Sequence, residues 1–412
     1  MKKSIKILAL LSVLCGLVIL QACKKSHDPS PLNLATIVAN DVDLNGATAP
    51  TNVVVGATIT VTFSTNVEVA SVVASNVTLT RDFDQEDVAI TLTAAGKTVT
   101  INPDADLNSG ALYVLSLKAG LKSSDGLAFA PLTRSFTTLG TFQPDGVIAH
   151  WSFENSTNDV AGSFNASATL TKDITYVDSH NALAGKAASF NGTTSIIEIP
   201  NGDQLMANHD FALSFWIKAN STKNAHFVMG LAAWYGFQFE IGGDPWDALN
   251  KSVKLATRYE LASGNDSEDT WYNGNPNGWQ GSTFAKDVTA SGGVGITYFK
   301  DKWAQVVVMY KASTKVGSMF INNEKVREWD FNLWPAGDAK KGALGVKFAG
   351  NANGNKFAIG FIQGSENRIV ADTWADPSDP LNNHFKGLLD DIRIYSRALT
   401  TQEMTLMYNS EK

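Results

Sequence analysis

The residues best suited to chemistry lie between positions 231 and 385, where Trp, Tyr, Gly and Asn crowd together. They are Trp234-Tyr235, Trp246, Arg258-Tyr259, Trp271-Tyr272, Trp279 and Tyr298, followed by Trp329, Trp334 and Trp374. Aromatic rings offer flat apolar faces that cover the C–H faces of pyranose rings, while amide, carboxylate and guanidinium groups bond the hydroxyls. Trp234, Tyr235, Trp271, Tyr272 and Trp279 are the candidate stacking residues, with Arg258 and Glu240 as polar partners. For any single Trp, packing in a core is as good a reading as stacking on a ligand. Trp151, Trp216 and Trp303 stand inside alternating strands and are assigned to the core.

Hydrolysis of a glycosidic bond makes a different demand. A retaining enzyme needs two carboxylates about 5–5.5 Å apart, an inverting one about 6.5–9.5 Å. On one strand that means acids at i and i+2 or i+4, which share a face. Glu240 stands alone in Phe237-Gln238-Phe239-Glu240-Ile241, with Asp244 beyond Gly242-Gly243. A strand acid at a rim, or one paired with an Arg, accounts for Glu240 better than catalysis does, so no catalytic residue is assigned. Carboxylates from distant segments leave a glycoside hydrolase open as an alternative. The six His are scattered, and no pair has metal-ligand spacing.

The elements that position these residues read as strands. Ala57–Phe63 alternates apolar and hydroxyl residues with period two, and Asn76–Thr80, Val88–Leu92 and Tyr113–Leu117 repeat the pattern. The runs V-T-F-S-T-N-V, G-K-T-V-T-I-N-P and L-N-S-G-A-L-Y-V-L-S-L, then S-F-T-T, resemble bacterial Ig-like domains. The charged run Arg81–Asp87 reads as a solvated loop. Residues 138–146 form a short turn-rich linker. Beyond it come Val147–Phe153, then F-N-G-T-T-S-I-I-E-I-P (Phe190–Pro200) and F-A-L-S-F-W-I-K (Phe211–Lys218). W-A-Q-V-V-V-M-Y (Trp303–Tyr310) and L-L-D-D-I-R-I-Y-S-R-A-L-T (Leu388–Thr400) follow.

In order and character these segments resemble the laminin-G/concanavalin A-like jelly-roll family. That resemblance implies carbohydrate binding, and a glycanase in some members, although the compact Glu-x-Asp-x-x-Glu run of the family's glycanases is missing. It also implies a structural calcium ion held by Glu154, Asp159 and Asp390. Pairing of Asp390 and Asp391 with Arg393 or Arg397 is an equal alternative. The expected fold class is all-β, an N-terminal Ig-like β-sandwich followed by a concanavalin A-like jelly-roll sandwich. The domains are 33–140 (Ig-like) and 141–412 (laminin-G/concanavalin A-like). The 231–300 and 329–385 excursions are expected to be long exposed loops, and a short helix is expected from Thr401 to Asn409.

Residues 1–23 read as a targeting segment. Lys2, Lys3 and Lys6 precede an apolar run, Ile7–Leu20, of roughly 14 residues, short of the ~20 that span a bilayer. The run ends in Leu20-Gln21-Ala22-Cys23, which resembles a lipoprotein signal with Cys23 as the acylated residue and 24–32 as a tether. Of the two cysteines, Cys15 lies in the removed run and Cys23 carries lipid. Neither a disulfide nor a thiol nucleophile is then expected in the mature chain. The net charge of −7, without a long basic run, argues against nucleic acid. The expectation is a cell-envelope lipoprotein of the outer membrane, surface-exposed, membrane-tethered through Cys23, with a polysaccharide or glycan as partner. A protein-binding adhesin is the other alternative.

Overall fold

The structure, a computed structural model, describes residues 28–222, 224–242, 252–276, 281–300, 302–350, 354–365 and 373–412. The targeting segment with Cys23, and Trp246 and Trp279, lie outside the described residues. The chain divides into two units, one ending at Leu139 and one running from Gly140 to Lys412.

The first unit holds β1 (Leu34–Ala39), β2 (Val42–Asp43), β3 (Ile59–Phe63), β4 (Val77–Arg81), β5 (Ile90–Ala95), β6 (Thr98–Pro103), β7 (Leu112–Leu117) and β8 (Leu132–Thr137). They form two antiparallel sheets, β2-β1-β3-β6-β5 and β4-β7-β8. Strand alternation sends Ile59, Val61 and Phe63 inward against Val77, Leu79, Tyr113, Leu115 and Phe136, and leaves Thr60 and Thr62 half-exposed. Arg81–Asp87 turns out of β4 on the surface, with Arg81 paired to Asp84 at 2.7 Å.

The second unit begins with β9 (Val147–Trp151), β10 (Thr175–Asp178), β11 (Lys186–Asn191), β12 (Ile197–Ile199), β13 (Phe211–Ala219), β14 (His226–Leu231), β15 (Phe237–Ile241), β16 (Val253–Leu261) and β17 (Gly264–Tyr272). It continues with β18 (Ser282–Ala285), β19 (Ala304–Lys311), β20 (Val316–Ile321), β21 (Glu324–Asp330), β22 (Ala343–Val346), β23 (Phe357–Ile359), β24 (Lys386–Tyr395) and helix α1 (Thr401–Glu411). A nine-stranded sheet runs β10-β11-β24-β13-β19-β20-β21-β18, with β9 beside β24. A seven-stranded sheet runs β12-β23-β14-β15-β16-β17, with β22 beside β16. The facing sides of the two sheets bury one core, including Trp151, Phe215, Phe239, Tyr259, Tyr272, Trp329 and Phe357.

Two expectations are corrected here. Much of the 231–300 excursion is strand: β16 and β17 pair along their whole length, from Val253 opposite Tyr272 to Leu261 opposite Gly264. Trp303 is not a core residue, whereas Trp216 is buried as expected, though outside the intersheet core. Trp216 is buried, but on the outer side of the nine-stranded sheet, between the His180 ring at 4.0 Å and the Tyr408 ring at 5.9 Å. Trp303 is half-buried beside the same His180.

That outer side is where α1 docks. Thr400 caps the helix through a capping box with Glu403, and Met404 and Met407 are buried. At its last turn the buried Glu411 carboxylate accepts three hydrogen bonds. These come from Trp216 Nε1 (2.8 Å), Gln305 Nε2 (2.9 Å) and Arg393 Nη1 (2.6 Å). Three neighbouring strands thereby grip one side chain. Burial pushes the Glu411 carboxyl up, and Arg393 opposes this. Removing one partner of a buried charged pair strands the other without solvent, which costs about 3–5 kcal/mol. Glu411→Ala is therefore expected to lower the second unit's calorimetric unfolding transition by that amount, and Thr400→Ala by only about 1 kcal/mol.

Candidate carbohydrate-binding cleft

The outer face of the seven-stranded sheet carries the chemistry. With Phe237, Phe239 and Ile241 committed to the core, strand alternation points Gln238 and Glu240 outward. Val253 and Leu255 likewise leave Lys254, Ala256 and Arg258 on the outer side. Register aligns four residues in one row across the strands. Phe227 lies opposite Glu240, Glu240 opposite Lys254, and Lys254 opposite Trp271. Trp374, from the short 3-10 turn Thr373–Ala375, closes the row. Together these five residues line a cleft of about 260 Å³.

Glu240 is 3% exposed and forms the cleft floor. Lys254 Nζ stands 2.9 Å from Glu240 Oε1 and 3.6 Å from Asp269 Oδ2, and 5.1 Å from the centre of the Trp271 ring. Gln238 Nε2 also donates to Glu240 Oε1. Burial pushes the Glu240 carboxyl up from its usual range, and the Lys254 ammonium opposes the shift. The pair thus fixes a polar floor between apolar walls.

The other half of this face is covered. Ile196, Phe227, Ala233, Ala358, Phe361, Ile362 and Ala375 make a second apolar cluster, with Trp234 and Trp374 packed against it. Gly230 permits that cover: a Cβ there would stand 2.5 Å from the Ile362 carbonyl oxygen. Trp374 stacks on Trp234 at 5.8 Å, and Trp234 lies 5.6 Å from Tyr235. The Arg258 guanidinium sits over the Tyr235 ring at 5.4 Å. Arg258 Nε donates to Asn265 Oδ1 (2.8 Å) and Nη1 to Ser267 Oγ (3.0 Å).

The candidates therefore separate. Glu240 and Trp271 meet in the cleft, and Trp234, Tyr235 and Arg258 lie beside it, each half-buried. Each of these rings already has a neighbour against it, so the stacking surface is narrower than the count of rings implied. Tyr272 is a correction. It points into the core with 0% exposure, its phenol pushed up to about 12 by burial, because it alternates with Trp271 on β17. Tyr259, Tyr298, Trp329 and Trp334 are buried as well. Trp279 lies outside the described residues. Lys254, Asp269 and Phe227 were not anticipated. The alternation of Val253-Lys254-Leu255-Ala256 puts Lys254 on the outer face, but only the register of β16 against β15 sets it opposite Glu240.

The suggested calcium ligands do not share one role. Asp159 is a loop organiser: Oδ1 accepts from the His150 and Ala161 amides (2.8 and 2.9 Å), and Oδ2 from the Phe164 amide (2.9 Å). Glu154 Oε1 accepts from the Lys186 amide at 3.0 Å. Asp390 is fully buried, takes hydrogen bonds from Ser179 Oγ and the Asp391 amide, and lies 3.9 Å from His180 Nδ1. Burial, then the Asp391 and Glu154 charges, push Asp390 up to about 8. Asp391 behaves oppositely: burial would raise it, but Arg393 and His150 hold it at about 2. Arg393 thus pairs with Asp391 (3.1 Å) and Glu411, while Arg397 pairs with Glu403. Among the described residues no three His, Cys, Asp or Glu side chains form a group able to hold a metal.

Comparison with known proteins bears on the two units unequally. Residues 42–138, within the first unit, match the family of bacterial Ig-like domains. None of the curated proteins matches the chain. Among solved structures, one similar fold is domain 4 of AbnA, a GH43 extracellular arabinanase from Geobacillus stearothermophilus, in complex with arabinotriose. It is 22% identical, over 64% of this chain and 98% of that one, with a TM-score of 0.39. The receptor-binding domain of botulinum neurotoxin mosaic serotype C/D is 13% identical over 65% of this chain and 51% of that one, TM-score 0.41. The binding domain of Paraclostridial Mosquitocidal Protein 1 is 15% identical over 65% and 52%, TM-score 0.41. The matched part spans about half the length of the two toxin chains.

The buried pair at the cleft floor makes a testable demand. Lys254→Ala leaves Glu240 buried without its cation and is expected to cost about 3 kcal/mol or more. Glu240→Gln in the same chain is expected to restore most of that loss, a non-additivity that thermal or urea unfolding of the double mutant reads directly.

Proposed function

We propose that the second unit is a concanavalin A-like carbohydrate-binding domain whose ligand lies in the cleft between Trp271 and Trp374. The observation that carries this reading is the transverse row Phe227, Glu240, Lys254 and Trp271: a polar floor fixed by a buried ion pair, between aromatic walls. Apolar walls with a few fixed polar groups are what a sugar ring requires. Glu240 is the buried carboxylate of that floor and is already bonded to Lys254 and Gln238. Such an arrangement favours holding a glycan over cleaving one. The Ig-like unit is then a spacer, and lipid on Cys23 would tether the chain to the cell envelope with the cleft facing outward. A panel of soluble polysaccharides in affinity electrophoresis tests the reading. Trp271→Ala is expected to weaken retention by about tenfold or more, equivalent to about 1.4 kcal/mol. Retention unchanged by Trp271→Ala overturns the reading.

Calcium, implied by the family resemblance, loses Asp159 as a ligand. Glu154 and Asp390 are the carboxylates that remain; a divalent cation would offset the crowding that pushes Asp390 up, with backbone oxygens completing a shell that two carboxylates alone do not make. Bound there, the ion would supply a structural clamp between the turn after β9 and β24. Calcium is accordingly expected to raise the second unit's melting temperature relative to EGTA in the wild type and not in Asp390→Asn. Identical melting in calcium and EGTA removes the proposal.

A further inference from the structure

We infer that Arg258 seats an acidic group of the bound glycan, a uronate carboxylate or a sulfate ester, at one end of the cleft. The inference rests on the binding reading above and concerns which glycans that site prefers.

Two cations, Lys254 and Arg258, stand four residues apart on the outer side of β16, and their surroundings differ. Lys254 is neutralised by Glu240 at 2.9 Å, with Asp269 at 3.6 Å. Arg258 has only neutral acceptors, Asn265 Oδ1 and Ser267 Oγ, and the face of the Tyr235 ring. Among the described residues no carboxylate pairs with it. Glu260, the next outward acid on the strand, is taken by Lys347 (2.8 Å) and His209 (2.9 Å). A guanidinium charge is therefore left uncompensated beside a cleft whose other cation is spent.

The group is also held ready. Its Nε and Nη2 both donate to Asn265 Oδ1, and Nη1 donates to Ser267 Oγ. A guanidinium has five N–H donors, so one N–H on each terminal nitrogen remains for a ligand. Those two donors suit the paired oxygens of a carboxylate or sulfate. Because the ring below and the two hydrogen-bonded partners fix the plane, little side-chain freedom is left to lose on binding. The path to the cleft is continuous, since Tyr235 adjoins Trp234 and Trp234 stacks on the cleft wall Trp374. Ser267 Oγ ties the same corner together by donating to the Trp234 carbonyl at 2.8 Å.

The test uses the full chain in affinity electrophoresis against polygalacturonate and alginate (uronates), a carrageenan (sulfate ester), and a neutral β-glucan and galactan. The wild type is expected to bind at least one acidic polymer about tenfold more tightly than the neutral ones, with the uronate and sulfate arms identifying the acid. Arg258→Gln is expected to abolish that preference, weakening the acidic polymers about tenfold and the neutral ones by clearly less. Arg258→Lys keeps the charge without the planar fork and is expected to recover less than half of the preference. Should the Gln variant fail to fold in a melting experiment, loss of the preference in the Lys variant carries the test. Equal or tighter binding of neutral polymers by the wild type overturns the inference, as does an equal loss on both classes in Arg258→Gln. In either case a Trp271-dependent neutral interaction leaves the binding reading standing. Failure to bind any polymer removes both.

Discussion

A β-strand has two faces, and in the seven-stranded sheet one of them is wholly committed. Phe237, Phe239, Ile241, Val253, Leu255 and Tyr272 fill the space against the nine-stranded sheet, so a slip of one residue would turn that apolar set into water. The register this enforces fixes the opposite face without further design. Glu240, Lys254 and Trp271 become neighbours because their partners in the core must be. The cleft is thus the reverse side of the core, and its precision is inherited from packing that never touches a ligand.

Inside the cleft the electrostatics follow from burial. A carboxylate as deep as Glu240 would shed its charge if isolated, and Lys254 is what allows a polar floor at that depth. The same ammonium also lies near the Trp271 ring, so one residue serves both the acid and the aromatic wall. At the far side of the molecule, the Asp390-Asp391 step solves a related problem in another way. Asp391 adopts a left-handed backbone (φ 48°) at a bulge in β24, where the strand changes partner from β11 to β9. The kink sends two consecutive acids into different surroundings, one crowded by carboxylates and one held by Arg393 and His150.

How much of this was legible in the sequence depends on how local the signal is. The Ig-like strands were readable because Ile59-Thr60-Val61-Thr62-Phe63 alternates plainly and its neighbours do the same. The capped final helix was readable from Thr400 and Glu403. The site was half readable: Trp271 and Glu240 stand out by type, but Tyr272 carried the same label as Trp271 and points the other way. Asn and Gly around these aromatics suggested loops, while the alternation within Val253–Leu261 marked strand and outweighed that composition. Lys254 and Trp374 could not be assigned to the cleft without pairing partners, because cross-strand register and the fold-back after β23 are long-range facts. Asp159 shows the same limit, since an acid that ties down a loop and one that ligates a metal look identical in one dimension.

The grip on Glu411 has a temporal consequence. Its partners Trp216 and Gln305 lie 195 and 106 residues earlier in the chain. Contacts so distant repay their closure entropy only once the intervening strands are in place. The end of α1 therefore fastens late, after the sheet beneath it has assembled. Bonds made after the rate-limiting step leave the speed of folding nearly untouched and act instead on the speed of coming apart. That single carboxylate serves less as a foundation than as a clasp, setting how long the finished sandwich lasts once assembled.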